Sequence, residues 1–339
     1  MRKLILLSLM AASLGGFNAR ANDLAFTDFP NASPDSLAGG KVLQQRGGLI
    51  DFEHGLTAQS LYVIDAPAET VRQKLISWNP ATHSELKVWM HLPLPAHPTA
   101  NDFGGLGSLP DNSSVNYLVN ATEKLDPANP SLQVDRDEAQ AIATMRQSGA
   151  SGRGLFTSAW TQIMLGRVSK FLGGNLSGQR YLMSGGDIFP AAEMIELLRS
   201  DSRIYARFHP LLAGTPLYGK TGRTPAGLYY ESFDIEGGAA LGTGAVYQSQ
   251  PNGAPIAPGS TVVSADLEYF VNNGIYVSVE LEQLTPVTIN GRPETLVWRS
   301  DEVSTSDIAG LHGTERLASG MIMLQDVAQA VDAFRSEFK

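Results

Sequence analysis

A chain of 339 residues without a single cysteine has no disulfide, no thiolate zinc site and no thiol nucleophile, so its stability has to come from burial. Its 34 acidic against 25 basic residues give a formal charge of −9, which repels phosphate backbones and anionic headgroups and argues against nucleic acid as a partner. With 43% hydrophobic and 17% charged residues, it has the composition of a globular chain long enough for one large or two ordinary domains.

Arg2 and Lys3, the run Leu4 to Leu14, and Ala19-Arg20-Ala21 are the charged, apolar and small-residue segments of a cleavable export signal, with cleavage expected after Ala21. Gly15, Gly16 and Asn18 interrupt the run well before the roughly twenty residues a membrane span needs. The expected location is therefore periplasmic or secreted, with the charge falling by three, from −9 to −12, once Arg2, Lys3 and Arg20 are removed. No later segment is long and apolar enough for stable membrane insertion. Residues 22–40, rich in Asn, Asp, Pro and Gly, read as a flexible leader outside the core.

From Gly55 the pattern changes. Leu61-Tyr62-Val63-Ile64 reads as a short strand, and Asp65 to Glu69 as a helix start, with Asp65 as cap and Pro67 in the opening turn. Val71, Leu75, Ile76 and Trp78 then share one face. Leu86 to Leu92 alternates with period two, a strand ended by Pro93, Pro95 and Pro98. Residues 99–210 differ from their flanks, with Gly- and Pro-rich loops between helical stretches at Glu138 to Arg146, Leu155 to Leu172 and Pro190 to Arg199. They read as a helical insertion or subdomain within a domain made of 41–98 and 211–339.

From Gly227 the chain is β-rich, with strands expected at Leu228 to Ile235, Thr243 to Gln248, Thr261 to Val271, Ile275 to Leu284 and Thr295 to Arg299. Asn272-Asn273-Gly274 and Asn290-Gly291 sit where hairpins need positive φ, which implies an antiparallel meander. Leu317, Met321, Leu324, Val327, Val331, Phe334 and Phe338 recur every three or four residues, one amphipathic helix ending the chain.

Strand, helix, strand, then antiparallel strands and a long last helix is an order that resembles the START-like, or polyketide cyclase and lipid-transport (SRPBCC), superfamily. Tyr62-Val63-Ile64-Asp65-Ala66-Pro67-Ala68-Glu69-Thr70-Val71 is similar to that superfamily's first strand and helix start. The closing Leu317 to Phe338 helix resembles its last element, and together the likeness spans residues 56–98 and 226–338. The resemblance implies an α+β fold of helix-grip type, in which a curved antiparallel sheet holds the C-terminal helix and leaves an apolar cavity between them for a lipid-like molecule. Its members bind or carry such molecules, and some cyclise or hydrolyse them in the same cavity.

Other motifs carry less. Gly214 to Thr221 fits the P-loop expression, but Gly222, Pro225 and Gly227 leave no helix to receive phosphates. Lys220-Thr221-Gly222 matches one element of the serine β-lactamases, but no Ser-Asp-Asn accompanies it, and there is no Gly-x-Ser-x-Gly elbow. None of His54, His83, His91, His97, His209 and His312 has metal-ligand spacing, so only convergence in space with Glu53, Glu85 or Asp102 makes them chemistry. Arg299 and Asp301 close the last strand and Glu315 and Arg316 open the last helix. They form an ion-pair network tying helix to sheet or a grip on a ligand's anionic head. Tyr230, Tyr269 and Tyr276, with Met321 and Leu324, supply apolar walls.

The sequence thus leads to a carrier of a hydrophobic or amphipathic small molecule, with no cofactor and no assigned catalytic residue. The competing expectation is an enzyme that uses the same cavity, with Arg299, Glu315 or a histidine as its polar group.

Overall fold

The computed structural model describes residues 24–47, 52–183, 186–235, 238–251, 254, 256, 260–312 and 314–339; the export signal expected at residues 1–21 lies outside them. The strands are β1 (Val42–Arg46), β2 (Gly55–Ile64), β3 (Val88–Leu94), β4 (Gly227–Ile235), β5 (Gly238–Gln248), β6 (Val262–Val271), β7 (Ile275–Ile289) and β8 (Arg292–Thr305). They form one curved antiparallel sheet in the order β1-β2-β8-β7-β6-β5-β4-β3. The fold is α+β, as expected, and both ends of the chain build it. β4 to β8 form the meander, β2 runs against β8 from Gly55 opposite Ser304 to Ile64 opposite Thr295, and β3 covers β4 at the far edge.

Turn chemistry fixes the meander. Asn290 (φ 52°) and Gly291 (φ 77°) close the β7–β8 hairpin and Gly274 (φ 76°) the β6–β7 turn, the positions where left-handed backbone was expected. Several strand bounds differ from the sequence reading. β1 was not expected. β7 runs on to Ile289 and β8 spans Arg292–Thr305, each longer than its apolar stretch because hairpin pairing extends past it. β2 begins at Gly55 rather than Leu61. β3 runs through Pro93, because an edge strand has one side with no ladder hydrogen bond to lose. β5 begins at Gly238 rather than Thr243, since its glycines and alanines have little strand propensity and are held by neighbours on both sides.

The helices divide between the two faces. α1 (Ala68–Ser77) and α7 (Thr314–Ser336) lie on one; α2 (Ser113–Glu123), α3 (Arg136–Gln147), α4 (Gly152–Leu172), α5 (Pro190–Arg199) and α6 (Ser202–Leu212) form a block against the other. α2 and α6 were not expected, although Asn112 and Asp201 cap them by accepting from Val115 N and from Arg203 and Ile204 N. Asp65 does not cap α1; Pro67 stands at that position without a side-chain bond, and Asp65 meets Arg292 instead.

The helical block is packed tightly. Phe171 of α4 stacks on Tyr269 of β6 with ring centroids 3.7 Å apart. The buried Arg167 is held by Glu138 at 2.8 Å and lies over the Phe270 ring. Tyr181 donates to the Tyr276 carbonyl and accepts from Val271 N. Residues 24–40 are part of this packing rather than a mobile leader: Leu24 and Leu37 are buried, and Phe26 meets Trp298 edge-on at 4.8 Å. Four apolar residues, Leu24, Phe26, Phe29 and Leu37, outweigh the polar composition around them.

α7 packs along β1 and β2, burying Val327, Val331 and Phe334 against Ala58 and Tyr62. Gly320 marks the close approach, since a Cβ there would fall 2.3 Å from Cδ of Arg46. The apolar stripe is buried only in its second half. Leu317, Met321 and Ile322 are exposed, because the sheet edge ends beneath the helix before its first turns do.

Candidate functional site

Pleating sends alternate residues of each strand to opposite faces, and on the face under α1 the alternate residues include a row of carboxyls. From β4 to β8 they are Tyr229 and Glu231, Gly242 and Gly244, Asp266 and Glu268, Glu280 and Glu282, and Arg299 and Asp301. The two glycines shape the floor. Gly244 is opposite Tyr229 and Gly242 opposite Glu231, so side chains from β4 cross over β5 to reach β6. A Cβ on Gly242 would lie 1.8 Å from Glu268 Oε1, and one on Gly244 would lie 2.1 Å from the Tyr229 ring.

Across this trough Tyr229 donates to Asp266 at 2.9 Å, and His91 of β3 stacks on Tyr229 while its Nδ1 lies 2.9 Å from Glu231. At the other side Arg299, 4% exposed, binds Asp301 through Nε and Nη2 and reaches Glu280 at 2.7 Å. Above the floor lies a cavity of about 380 Å³, walled by Leu75, Ile76 and Trp78 of α1 and the residues after it, by His91 and Pro93 of β3, and by Leu228. That volume is in the range of small-molecule sites. An adjoining, more apolar pocket of about 470 Å³ shares Leu94, Ala226, Gly227 and Leu228 as walls.

The carboxyls here are far from their ordinary state. Burial pushes Asp266 up to about 6, against the Tyr229 hydrogen bond that pulls it down. Burial and the neighbouring Glu231 raise Glu268 well above the carboxylate range. Glu280 and Glu282, two residues apart on β7, hold protons more tightly than free carboxyls because burial outweighs the pull of Arg299; Glu282 stands at about 7. For His91, burial favours the neutral ring, but the hydrogen bond and charge of Glu231 prevail and raise it.

The structure places the sequence-derived candidates elsewhere, with one exception. Arg299 is on the acidic face and holds Glu280, a cavity-floor residue, although it does not line the cavity itself. Glu315 is exposed at the start of α7, and Arg316 donates to the carbonyls of Phe52, Glu53 and Gly55, fixing α7 to the segment before β2. Tyr230, Tyr269 and Tyr276 point to the opposite face, into the helical block, where Tyr230 accepts from Gly105 N. Met321 is exposed, and Leu324 packs on the α7 cluster. No α7 residue lines the cavity; α1 walls it, with Phe334 of α7 backing Trp78 edge-on at 5.3 Å.

The remaining motifs resolve simply. Pro216–Tyr218 is a 3-10 turn ending in Gly219 at φ 66°, followed by β4 and no helix. Ser84 to Lys87 and Ser336 to Lys339 do have Ser-x-x-Lys spacing, but their serines and lysines are exposed and none lines the cavity. Of the six histidines, His91 belongs to the cavity, His97 to the adjoining pocket, and His54 and His83 are paired with Glu193 and Glu337.

The acidic floor was not anticipated, although its signal is present as Glu231, Asp266-x-Glu268 and Glu280-x-Glu282 within apolar strands. Among the described residues no group of three His, Asp or Glu is placed to hold a metal ion, and no helix is long and apolar enough to cross a membrane. Comparison with protein-family models, with curated proteins and with solved structures finds no match to this chain.

Proposed function

We propose that this protein binds a small amphipathic molecule in the cavity beneath α1, outside the cytoplasm if residues 1–21 act as the export signal they resemble. One observation carries the reading: a cavity of small-molecule size has hydrocarbon on one side, from Leu75, Ile76 and Leu228, and a continuous polar floor on the other. Packing alone favours filling such a space with apolar side chains. The position differs from that implied by the START-like resemblance, since α1 rather than α7 closes it. Native mass spectrometry of protein from its own host, followed by organic extraction, tests the reading. Recovery of a stoichiometric small molecule, lost in a cavity-filling Ser264→Phe variant that still folds, supports it. A wild-type protein that carries nothing and takes up no hydrophobic dye contradicts it.

A second reading, catalysis in the same cavity, is favoured by His91 together with Glu231, Tyr229 and Asp266. The four form a hydrogen-bonded and stacked array on the wall, with an imidazole and carboxyls able to exchange protons near neutral pH. Conversion of the extracted molecule by wild type but not by His91→Gln would establish it; an unchanged molecule in both rejects it.

A further inference from the structure

Two hollows meet at Leu94 and at Ala226 to Leu228, and the groups that line them differ in charge. The cavity beneath α1 is lined by five carboxyl groups and by no Lys or Arg. The adjoining pocket of about 470 Å³ is lined by Arg223 and His97 and, among the described residues, by no Asp or Glu. In a chain of 34 acidic and 25 basic residues, a pocket of small-molecule size that presents a guanidinium and excludes carboxylates fits an anionic occupant.

Arg223 is positioned without being neutralised. Its amide donates to the Gly214 carbonyl at 3.1 Å and its Nη1 to the Gln248 carbonyl at 3.2 Å, so both partners are neutral. Among the described residues no carboxylate pairs with it, whereas Arg72, Arg167 and Arg203 each hold one or two. The rest of its planar fork, the geometry that suits a carboxylate, is left for a ligand. The loop before it supplies no rival anion site. Tyr218 N and Lys220 N donate to the Thr215 carbonyl and Gly219 N to that of Pro216, so these amides of the P-loop-like run are spent within it and form no nest for phosphate. The remaining walls are largely hydrocarbon, with Leu94, Leu172 and Leu228 among them, which rewards a molecule with an apolar body.

We propose that this second pocket binds a small organic acid, with its carboxylate on Arg223 and its hydrocarbon body against Leu94, Leu172 and Leu228. The site is separate from the cavity beneath α1, and it stands or falls independently of the reading given to that cavity. Charge sorts the two: the carboxyls beneath α1 turn an acid away, and the guanidinium next door receives it.

The test is isothermal titration calorimetry of the whole purified protein at pH 7.5 with octanoate, n-octanol and inorganic phosphate. Octanoate is expected to bind about tenfold more tightly than octanol, with phosphate weakest. Arg223→Gln lowers octanoate affinity about tenfold and leaves octanol unchanged. Ser264→Phe, which fills the cavity beneath α1, leaves octanoate at its wild-type affinity; should that variant fail to fold, the wild type and Arg223→Gln decide. Octanoate that fails to bind, or binds no more tightly than octanol, overturns the proposal, as does phosphate that matches octanoate or an Arg223→Gln variant with full octanoate affinity. Loss of octanol together with octanoate in Arg223→Gln shows an arginine that only holds its loop, and overturns it as well. Octanoate lost in Ser264→Phe but kept in Arg223→Gln places the acid beneath α1, which supports that cavity as a small-molecule site and overturns this one.

Discussion

Trp298 and Arg299 are neighbours on β8 and face opposite ways. Trp298 enters a layer of helices where Phe26 and Phe208 pack on it and its indole N–H donates to Gln59. Arg299 enters a half-covered trough where its guanidinium stands among a row of carboxyls. One set of strands thus supports two kinds of surface. The face under α2 to α6 is filled to remove apolar area from water, whereas the face under α1 keeps charged groups buried that packing alone would replace. The first face supplies packing, and the second holds the cavity proposed as a binding site.

This contrast can be broken from either side. The largest stability loss is expected on the packed face: Phe171→Ala deletes a ring stacked on Tyr269 and costs about 4 kcal/mol. Denaturant titration measures the loss. Arg299→Met removes the cation paired with Asp301 and Glu280 and costs about 3 kcal/mol, because it leaves buried charge without that partner. Gly244→Ala forces the Tyr229 ring aside and costs about 2 kcal/mol, a smaller stability loss than at Phe171, placed on the cavity floor. Met321→Ser, on the exposed half of α7, is expected to change stability by no more than about 0.5 kcal/mol.

The same contrast explains what could be read in the sequence. Period-two and 3.6-residue patterns, Asn-Gly turns and the final stripe gave the α+β class, the meander and α7, because each reports burial on one side of an element. β5 was only half visible: a strand with glycines at 238, 242 and 244 looks weak until Tyr229 and Glu231 are seen crossing over it. α2 and α6 were hidden by polar and Pro-containing stretches whose caps are ordinary.

The site was less legible than the fold. Tyr230, Tyr269 and Tyr276, candidate walls by sequence, are core, because alternation alone does not say which face of a sheet is hollow. The acids that line the hollow lie far apart in sequence, at 231, 266, 268, 280 and 282. Only strand pairing brings them together.

Stability against pH for the wild type and for a Glu268→Gln/Glu282→Gln variant tests most directly whether the acidic trough exists for a ligand rather than for folding. Asp266 and Glu282, raised by burial to about 6 and about 7, keep protons that an unfolded chain releases above about pH 4, and Glu268 is raised further. Folding stability without ligand therefore falls as pH rises through that range. His91, held protonated chiefly by Glu231 against burial, adds a loss in the same direction. Denaturant unfolding at pH 5 and pH 7.5 is expected to find the wild type less stable at pH 7.5, and the variant more stable than the wild type there with a smaller pH dependence, the remainder carried by Asp266, Glu280, Glu302 and His91. A variant less stable than the wild type at both pH values, beside a wild type indifferent to pH, would show that these carboxyls hold the sheet together and contradict the account.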